Sequence, residues 1–175
     1  MLQFAILGFL YDEALHGYDL RKRIAALTGH IRPIADGTLY PAIRKLADAG
    51  LLSRELQPGQ VAAPRQMLSL TESGRADLLA RLREPDELFV TDENRWFCVL
   101  AFLRYLDGDP EAQVAVLRRR LDFLTQPASF FYDGDRPLRA ADFDDPFRQG
   151  LFTIATATSR TELRWLRETI TALGG

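Results

Sequence analysis

Asp36-Gly37-Thr38-Leu39-Tyr40-Pro41-Ala42-Ile43-Arg44-Lys45-Leu46 is the stretch on which the fold turns. Leu39, Ala42, Ile43 and Leu46 recur at helical spacing and predict the inner stripe of a helix that runs to Ala49. Asp36 or Thr38 is placed to cap it, and Pro41 falls in or near its first turn, where a missing N–H costs least. Gly50 suits the left-handed turn that stops it. With the apolar stripe inward, helical geometry turns Pro41, Arg44, Lys45 and Asp48 outward and leaves Tyr40 at the flank.

Working outward, Leu2–Tyr11 is apolar almost all round and predicts a buried helix, broken by Asp12-Glu13-Ala14. After His16-Gly17, the spacing of Leu20, Ile24 and Leu27 predicts a second helix from Tyr18 to Leu27. Arg21, Lys22 and Arg23 crowd its other faces, Thr28-Gly29 ends it, and Pro33 keeps the next connection non-helical. Downstream of Gly50 the period changes. Leu51–Leu56 and Arg65–Leu70 predict two strands joined by a turn-rich loop, Gln57–Pro64. In the second strand Met67 and Ser69 share one face, Leu68 and Leu70 the other. Thr71 is placed to cap a fourth helix reaching Leu82, with Leu78, Leu79 and Leu82 inward. Three helices, a two-stranded hairpin and a further helix are the parts of a winged helix-turn-helix.

Glu84-Pro85-Asp86-Glu87 marks a boundary. The expected organisation is a winged helix-turn-helix over residues 1–84 and a helical dimerisation domain over 85–175, a mainly α (α+β) fold. Helices are expected over Glu93–Leu106, Glu111–Thr125 and Phe147–Leu173, with a long connection, Gln126–Pro146, before the last. That last helix carries Leu163, Leu166 and Ile170 on one stripe and Trp165 off it. Apolar residues on more than one face of a helical arm call for a partner, and a two-fold dimer is the commonest one. These four residues are the expected dimer seam.

Apolar residues make up 47% of the 175 and charged residues 26%, as in a folded chain rather than a disordered one. The net charge of −2 argues against indiscriminate nucleic-acid binding, but the charge is unevenly spread. Residues 1–84 carry 11 basic and 9 acidic side chains, residues 85–175 carry 11 and 15. The first part is therefore able to approach phosphate and the second repels it. The single cysteine, Cys98, forms no internal disulfide, and the apolar run Phe4–Tyr11 is too short to span a bilayer. A cytoplasmic protein with no membrane segment is expected.

Catalytic signatures are missing from the sequence. It shows no metal-ligand spacing, phosphate-binding glycine loop or triad motif, so neither cofactor nor metal is expected. Cys98 with His16 or His30 is the conceivable nucleophile and base, but Cys98 sits amid Trp96-Phe97-Val99-Leu100, where cysteine acts as a small apolar residue. Asp133-Gly134-Asp135 reads as a turn, since it lacks the rest of a calcium-loop ligand series. A non-enzymatic protein is expected.

At Leu15-His16-Gly17-Tyr18-Asp19-Leu20 and again at residues 36–46 the chain resembles the PadR-like transcriptional regulators. Gly50-Leu51-Leu52, Leu70-Thr71 and Gly74 agree as well. The clear likeness covers residues 2–83. Beyond it, the helical pattern and Arg164-Trp165-Leu166 resemble the family's longer members. The resemblance implies a dimeric winged-helix repressor, with the second and third helices as the helix-turn-helix, the hairpin as the wing and the C-terminal helices as the dimer contact. It also implies that an aromatic small molecule such as a phenolic acid is a candidate effector. The chain departs from the pattern in the returning wing strand. Met67, Leu68 and Ser69 stand where the family often carries two tyrosines and a basic residue, so this wing lacks groups that meet phosphate.

For DNA binding the third helix is the candidate recognition helix. Arg44 and Lys45 are suited to guanine edges or phosphates, and Thr38 and Tyr40 to phosphate near the helix start. Arg21, Lys22, Arg32 and the wing's Arg65 are placed to track the backbone, and a homodimer implies an inverted-repeat operator. Tyr18 is expected to pack and His16 to serve as a cap or hydrogen-bonded turn residue. Two readings stay open for the aromatic residues of the second half. They line an effector pocket, with Trp96, Phe130, Phe131 and Tyr132 as its candidate residues, or they form a helical core and dimer seam. The rival function is a winged-helix protein–protein interaction module without specific DNA binding.

Overall fold

The computed structural model describes residues 1–27, 34–57, 65–127 and 131–175, without the side chains of Gln57 and Arg65. The chain forms two compact units, Met1–Gly108 and Asp109–Gly175.

The first unit is organised around α1, Leu2–Phe9, whose residues Phe4 to Gly8 are all buried. A helix apolar on every side must be covered on every side. Here α2 (Gly17–Ala26), α3 (Asp36–Asp48), α4 (Glu72–Arg83) and α6 (Glu93–Phe102) cover it. Strands β2 (Leu52–Gln57) and β3 (Arg65–Leu70) pair antiparallel from Leu52↔Leu70 to Gln57↔Arg65. The expected two-stranded wing gains a third member. Leu15–His16 forms a short strand, β1, that pairs with the other edge of β3, Leu15 opposite Leu68. The loop expected at the wing tip, and His30, lie outside the described residues.

Local signals act mostly where the sequence places them. Gly50 has φ 73° and stops α3. The Thr71 hydroxyl accepts from Gly74 N–H at 3.0 Å and donates to the Gly50 carbonyl at 2.7 Å, so it caps α4 and ties it to the end of α3. Gly74 is required by close approach, since a Cβ there would lie 2.1 Å from the Leu51 carbonyl oxygen. The cap of α3 differs from expectation. Ala35 occupies the cap position, with no side-chain bond, and Asp36 is already inside the helix. Its carboxylate pairs with Arg21 of α2 at 2.8 Å instead. Pro41 is the sixth residue of α3, past the first turn, so the helix forgoes the bond a backbone N–H there would give to Gly37.

The unit also extends beyond the boundary expected at 84/85. A short helix, α5 (Glu87–Thr91), α6 and a 3-10 turn at Leu103–Leu106 belong to it. Phe4 meets Phe89 with ring centroids 5.0 Å apart, and Phe9 meets Phe102 edge-on at 5.1 Å. These aromatic contacts with α1 draw the first segment after the Pro85 break into the same core.

The second unit pairs α7 (Pro110–Thr125) with α8 (Pro146–Ala172). Asp109 caps α7 through Ala112 N–H, and Asp145 caps α8 through the N–H groups of Phe147 and Arg148. The connection between them carries a small hairpin, β4 (Tyr132–Asp133) with β5 (Arg136–Pro137). Asp133-Gly134-Asp135 is its turn, with Gly134 at φ 61°. Asp142 accepts from Arg139 N–H at 2.8 Å and faces Arg136, which together hold its carboxyl below the usual carboxylate range. Leu166 and Ile170 of α8 are buried, as are Val114 and Leu117 of α7. Two of the four residues expected at a dimer seam are therefore taken up by the chain's own core. Leu163 is half-buried and Trp165 exposed. Among the described residues no helix is long and apolar enough to cross a membrane.

Candidate nucleic-acid interface

The outer face of α3 is built by what its inner face buries. Leu39, Ile43 and Leu46 are nearly inaccessible, and Ala42 is half-buried. The 3.6-residue period then leaves Thr38, Tyr40, Pro41, Arg44, Lys45 and Asp48 exposed along one side. Arg44 and Lys45 form no ion pair with any described residue. Among the described residues they are cations without an ion-pair partner, on a helix narrow enough for a major groove.

Tyr40 links this face to the start of α2. A Cβ on Gly17 would lie 3.4 Å from the Tyr40 ring, so a larger residue at 17 would crowd it. His16 precedes α2 as its cap residue without a side-chain cap bond, and its Nδ1 lies 3.4 Å from the Gln66 carbonyl oxygen of β3. Between them opens a cleft of about 470 Å³ lined by His16, Gly17, Tyr18, Asp19, Tyr40, Gln66 and Leu68. The first N–H groups of α2 end there without a side-chain cap, which is the arrangement that accepts an anion.

The structure brings Thr38, Tyr40, Arg44 and Lys45 together on α3 and sets Arg21 and Lys22 on neighbouring α2. Lys22 is exposed. Arg21 is committed to Asp36, and its guanidinium carbon also lies 5.7 Å from the Tyr18 ring centroid. Arg23 is paired with Glu13 at 2.6 Å. Arg32 lies outside the described residues, as does the Arg65 side chain. Tyr18, expected to pack, is instead 66% exposed beside Arg21. Tyr18 thus adds a hydroxyl-bearing ring near α3 that the expected site did not include. Its signal was the adjacency of Tyr18 to the helix-initiating His16-Gly17.

The expected effector residues separate. Trp96 is fully buried in α6 of the first unit, and Phe130 lies outside the described residues. Phe131 and Tyr132 line a cavity of about 750 Å³ inside the second unit, with Phe152 and Leu163 of α8 among the other lining residues. Leu163 therefore faces this cavity. Cys98 has no accessible surface, and burial pushes its thiol up from 9.0 to about 11, against a smaller opposing effect of the N-terminal ammonium.

Residues 6–80 match the model of the family described as "Transcriptional regulator PadR-like family". The chain is 30% identical over 78 residues to the "Negative transcriptional regulator PadR" of Bacillus subtilis (strain 168). That match takes in 45% of this chain and 43% of the relative, so it spans less than half the relative's length. Among solved structures, a PadR-like transcription factor from Bacteroides fragilis is 28% identical, with a TM-score of 0.42, over 46% of this chain and 75% of its own. Bacillus subtilis PadR in complex with operator DNA is 22% identical, with a TM-score of 0.47, over 97% of this chain and 98% of its own. Residues 6–80 contain α2, α3, both wing strands and the Thr71 cap, and it is this winged-helix region that is similar to the PadR-like transcriptional regulator family.

Proposed function

We propose that the chain is a sequence-specific DNA-binding transcriptional regulator, a cytoplasmic repressor that binds an inverted repeat as a homodimer. The observation that carries this is the outer face of α3, where exposed Arg44 and Lys45, with no ion-pair partner among the described residues, stand beside exposed Thr38 and Tyr40. In this function Arg44 and Lys45 meet base edges or phosphates in the major groove. Thr38, Tyr40 and the α2 N-terminus hold the adjacent phosphates, and Arg21 and Lys22 track the backbone, with Arg32 and Arg65 extending that track.

Dimerisation places a second copy on α8. Phe147, Leu151, Ile154, Thr158, Thr161 and Trp165 recur at alternating spacings of four and three, and all six are exposed. This stripe lies on a different face from the buried Leu166 and Ile170 and supports a two-helix seam. A small aromatic effector that releases the operator completes the function. It is supported by the cavity beside Phe131 and Tyr132, and it acts by linkage between the two sites.

Selection of genomic DNA fragments by the purified chain, followed by sequencing, tests the function. Enrichment of one inverted repeat, with affinity falling steeply as salt rises, is the expected result. A folded dimer that enriches nothing at low salt overturns it in favour of a protein-interaction module.

A further inference from the structure

The cavity of the second unit has a feature that a plain aromatic pocket does not need. Arg160, Arg164 and Arg167 all line it, at spacings of four and three on one arc of α8. Like charges at such spacings destabilise a helix. Elsewhere in the unit Arg120 holds Glu162, and Arg136 meets Asp133 and Asp142. Among the described residues Arg160, Arg164 and Arg167 form no ion pair.

Much of the remaining wall is apolar. Phe131 meets Phe152 edge-on at 5.8 Å, and Phe143 meets Phe152 at 5.4 Å, so the aromatic side is already packed and shaped. The hydroxyls of Thr156 and Ser159 lie on the wall that α8 contributes. An apolar wall edged by three unpaired guanidinium groups complements one kind of molecule, an anion with an apolar body. Size narrows it further. A cavity of about 150 Å³ suffices for benzene, and this one measures about 750 Å³. A single ring would leave most of it empty.

We propose that this cavity binds a small amphipathic organic anion, with a fused-ring or long acyl body. The body lies against Phe131, Phe152 and Leu163, and the carboxylate or other acidic head is held by Arg160, Arg164 and Arg167. This deepens the effector part of the proposed function, but binding here is measurable without DNA.

The test uses the full chain and 1-anilinonaphthalene-8-sulfonate as fluorescent probe. Dodecanoate and 2-naphthoate are the anionic competitors, and dodecanol and 2-naphthamide their neutral counterparts. The expected result is saturable probe binding that the anions displace and the neutral analogues do not. The better competitor of the two anions tells an acyl body from an aromatic one. Replacing Arg160, Arg164 and Arg167 together by alanine weakens probe binding by about tenfold or more, as expected when charge-assisted hydrogen bonds are lost. The corresponding lysine variant stays within a few-fold of the parent. Ser159→Phe, which keeps the charges and fills the cavity, also abolishes binding. Circular dichroism confirms the fold of each variant.

Absence of saturable binding, equal displacement by the neutral analogues, or unchanged affinity in the alanine variant overturns the proposal. A shift in oligomeric state in that variant without a change in probe affinity also overturns it, and assigns the groove to a second copy. Probe binding that persists while operator affinity never responds leaves the anion site standing and removes only its regulatory role.

Discussion

Arg120 of α7 grips Glu162 of α8 with both ends of its guanidinium, Nε to Oε1 at 2.8 Å and a terminal nitrogen to Oε2 at 3.1 Å. The two side chains are only 4% and 17% exposed. A planar fork meeting a carboxylate in a largely dry setting fixes the rotation and register of one helix against the other. Removing one partner leaves a buried charge uncompensated. Glu162→Ala or Arg120→Ala is therefore expected to destabilise the second unit by about 3 kcal/mol or more. The double variant Arg120→Met with Glu162→Leu recovers most of that loss. Thermal or urea unfolding of the single and double variants measures the difference, and equal losses in all three would contradict it.

Arg44→Ala is expected to cost about 1–3 kcal/mol of operator affinity and to relax the preference for one base pair. Lys45→Ala, if its contact is to phosphate, weakens all sequences alike and reduces the slope of log affinity against log salt by about one. Fluorescence anisotropy at several salt concentrations separates the two effects. The proposed dimer is expected to survive both changes, because the exposed stripe of α8 is untouched.

Leu151→Glu combined with Ile154→Glu places charge on two residues that are 55% and 69% exposed in the single chain. Exposed substitutions change the stability of a chain by no more than about 0.5 kcal/mol. The expected outcome is a monomer of unchanged far-UV spectrum whose operator affinity has collapsed. Sedimentation velocity reads the first effect directly. A dimer that survives the double change would place the seam elsewhere.

Gly74→Ala forces a methyl group into the space of the Leu51 carbonyl, and Thr71→Ala removes the hydroxyl that joins α3 to α4. The first is expected to cost about 1–3 kcal/mol through overpacking and the second about 1 kcal/mol through loss of the cap. The glycine variant melts lower than the threonine variant. The reverse order would show that the backbone moves aside at little cost.

Cys98 is fully buried and its thiol is pushed up to about 11. It is expected to resist iodoacetamide at pH 8 in the native chain and to react at once in urea. The same shift has a consequence for stability. The unfolded thiol loses its proton from about pH 9 and the folded one only near pH 11, so the unfolded chain binds fewer protons between them. Cys98 thus contributes a loss of stability as the pH rises through that window and none below it. A Cys98→Ala variant shows a shallower fall of Tm there.

The winged helix was legible in the chain because its signals are local. The stripe of Leu39, Ile43 and Leu46, the stop at Gly50 and the cap at Thr71 each act within a few residues, and periodicity alone turns Arg44 and Lys45 outward. Where long-range contacts compete with local chemistry, only the tertiary structure decided the outcome. Asp36 is a good cap by type, but Arg21 of α2 claims its carboxylate. Tyr18 is apolar enough to pack, but the fold leaves it 66% exposed beside Arg21. Pro85 marks a boundary by composition, yet the rings of Phe89 and Phe102 carry the core past it. Likewise Leu166 and Ile170 carry the same apolar pattern whether they face a partner or α7, and the fold gave them to α7. The gathering of Arg160, Arg164 and Arg167 around Phe131 and Phe152 is the same kind of fact. Helical spacing sets the arginines in line, but only the return of the chain between α7 and α8 places an apolar wall before them.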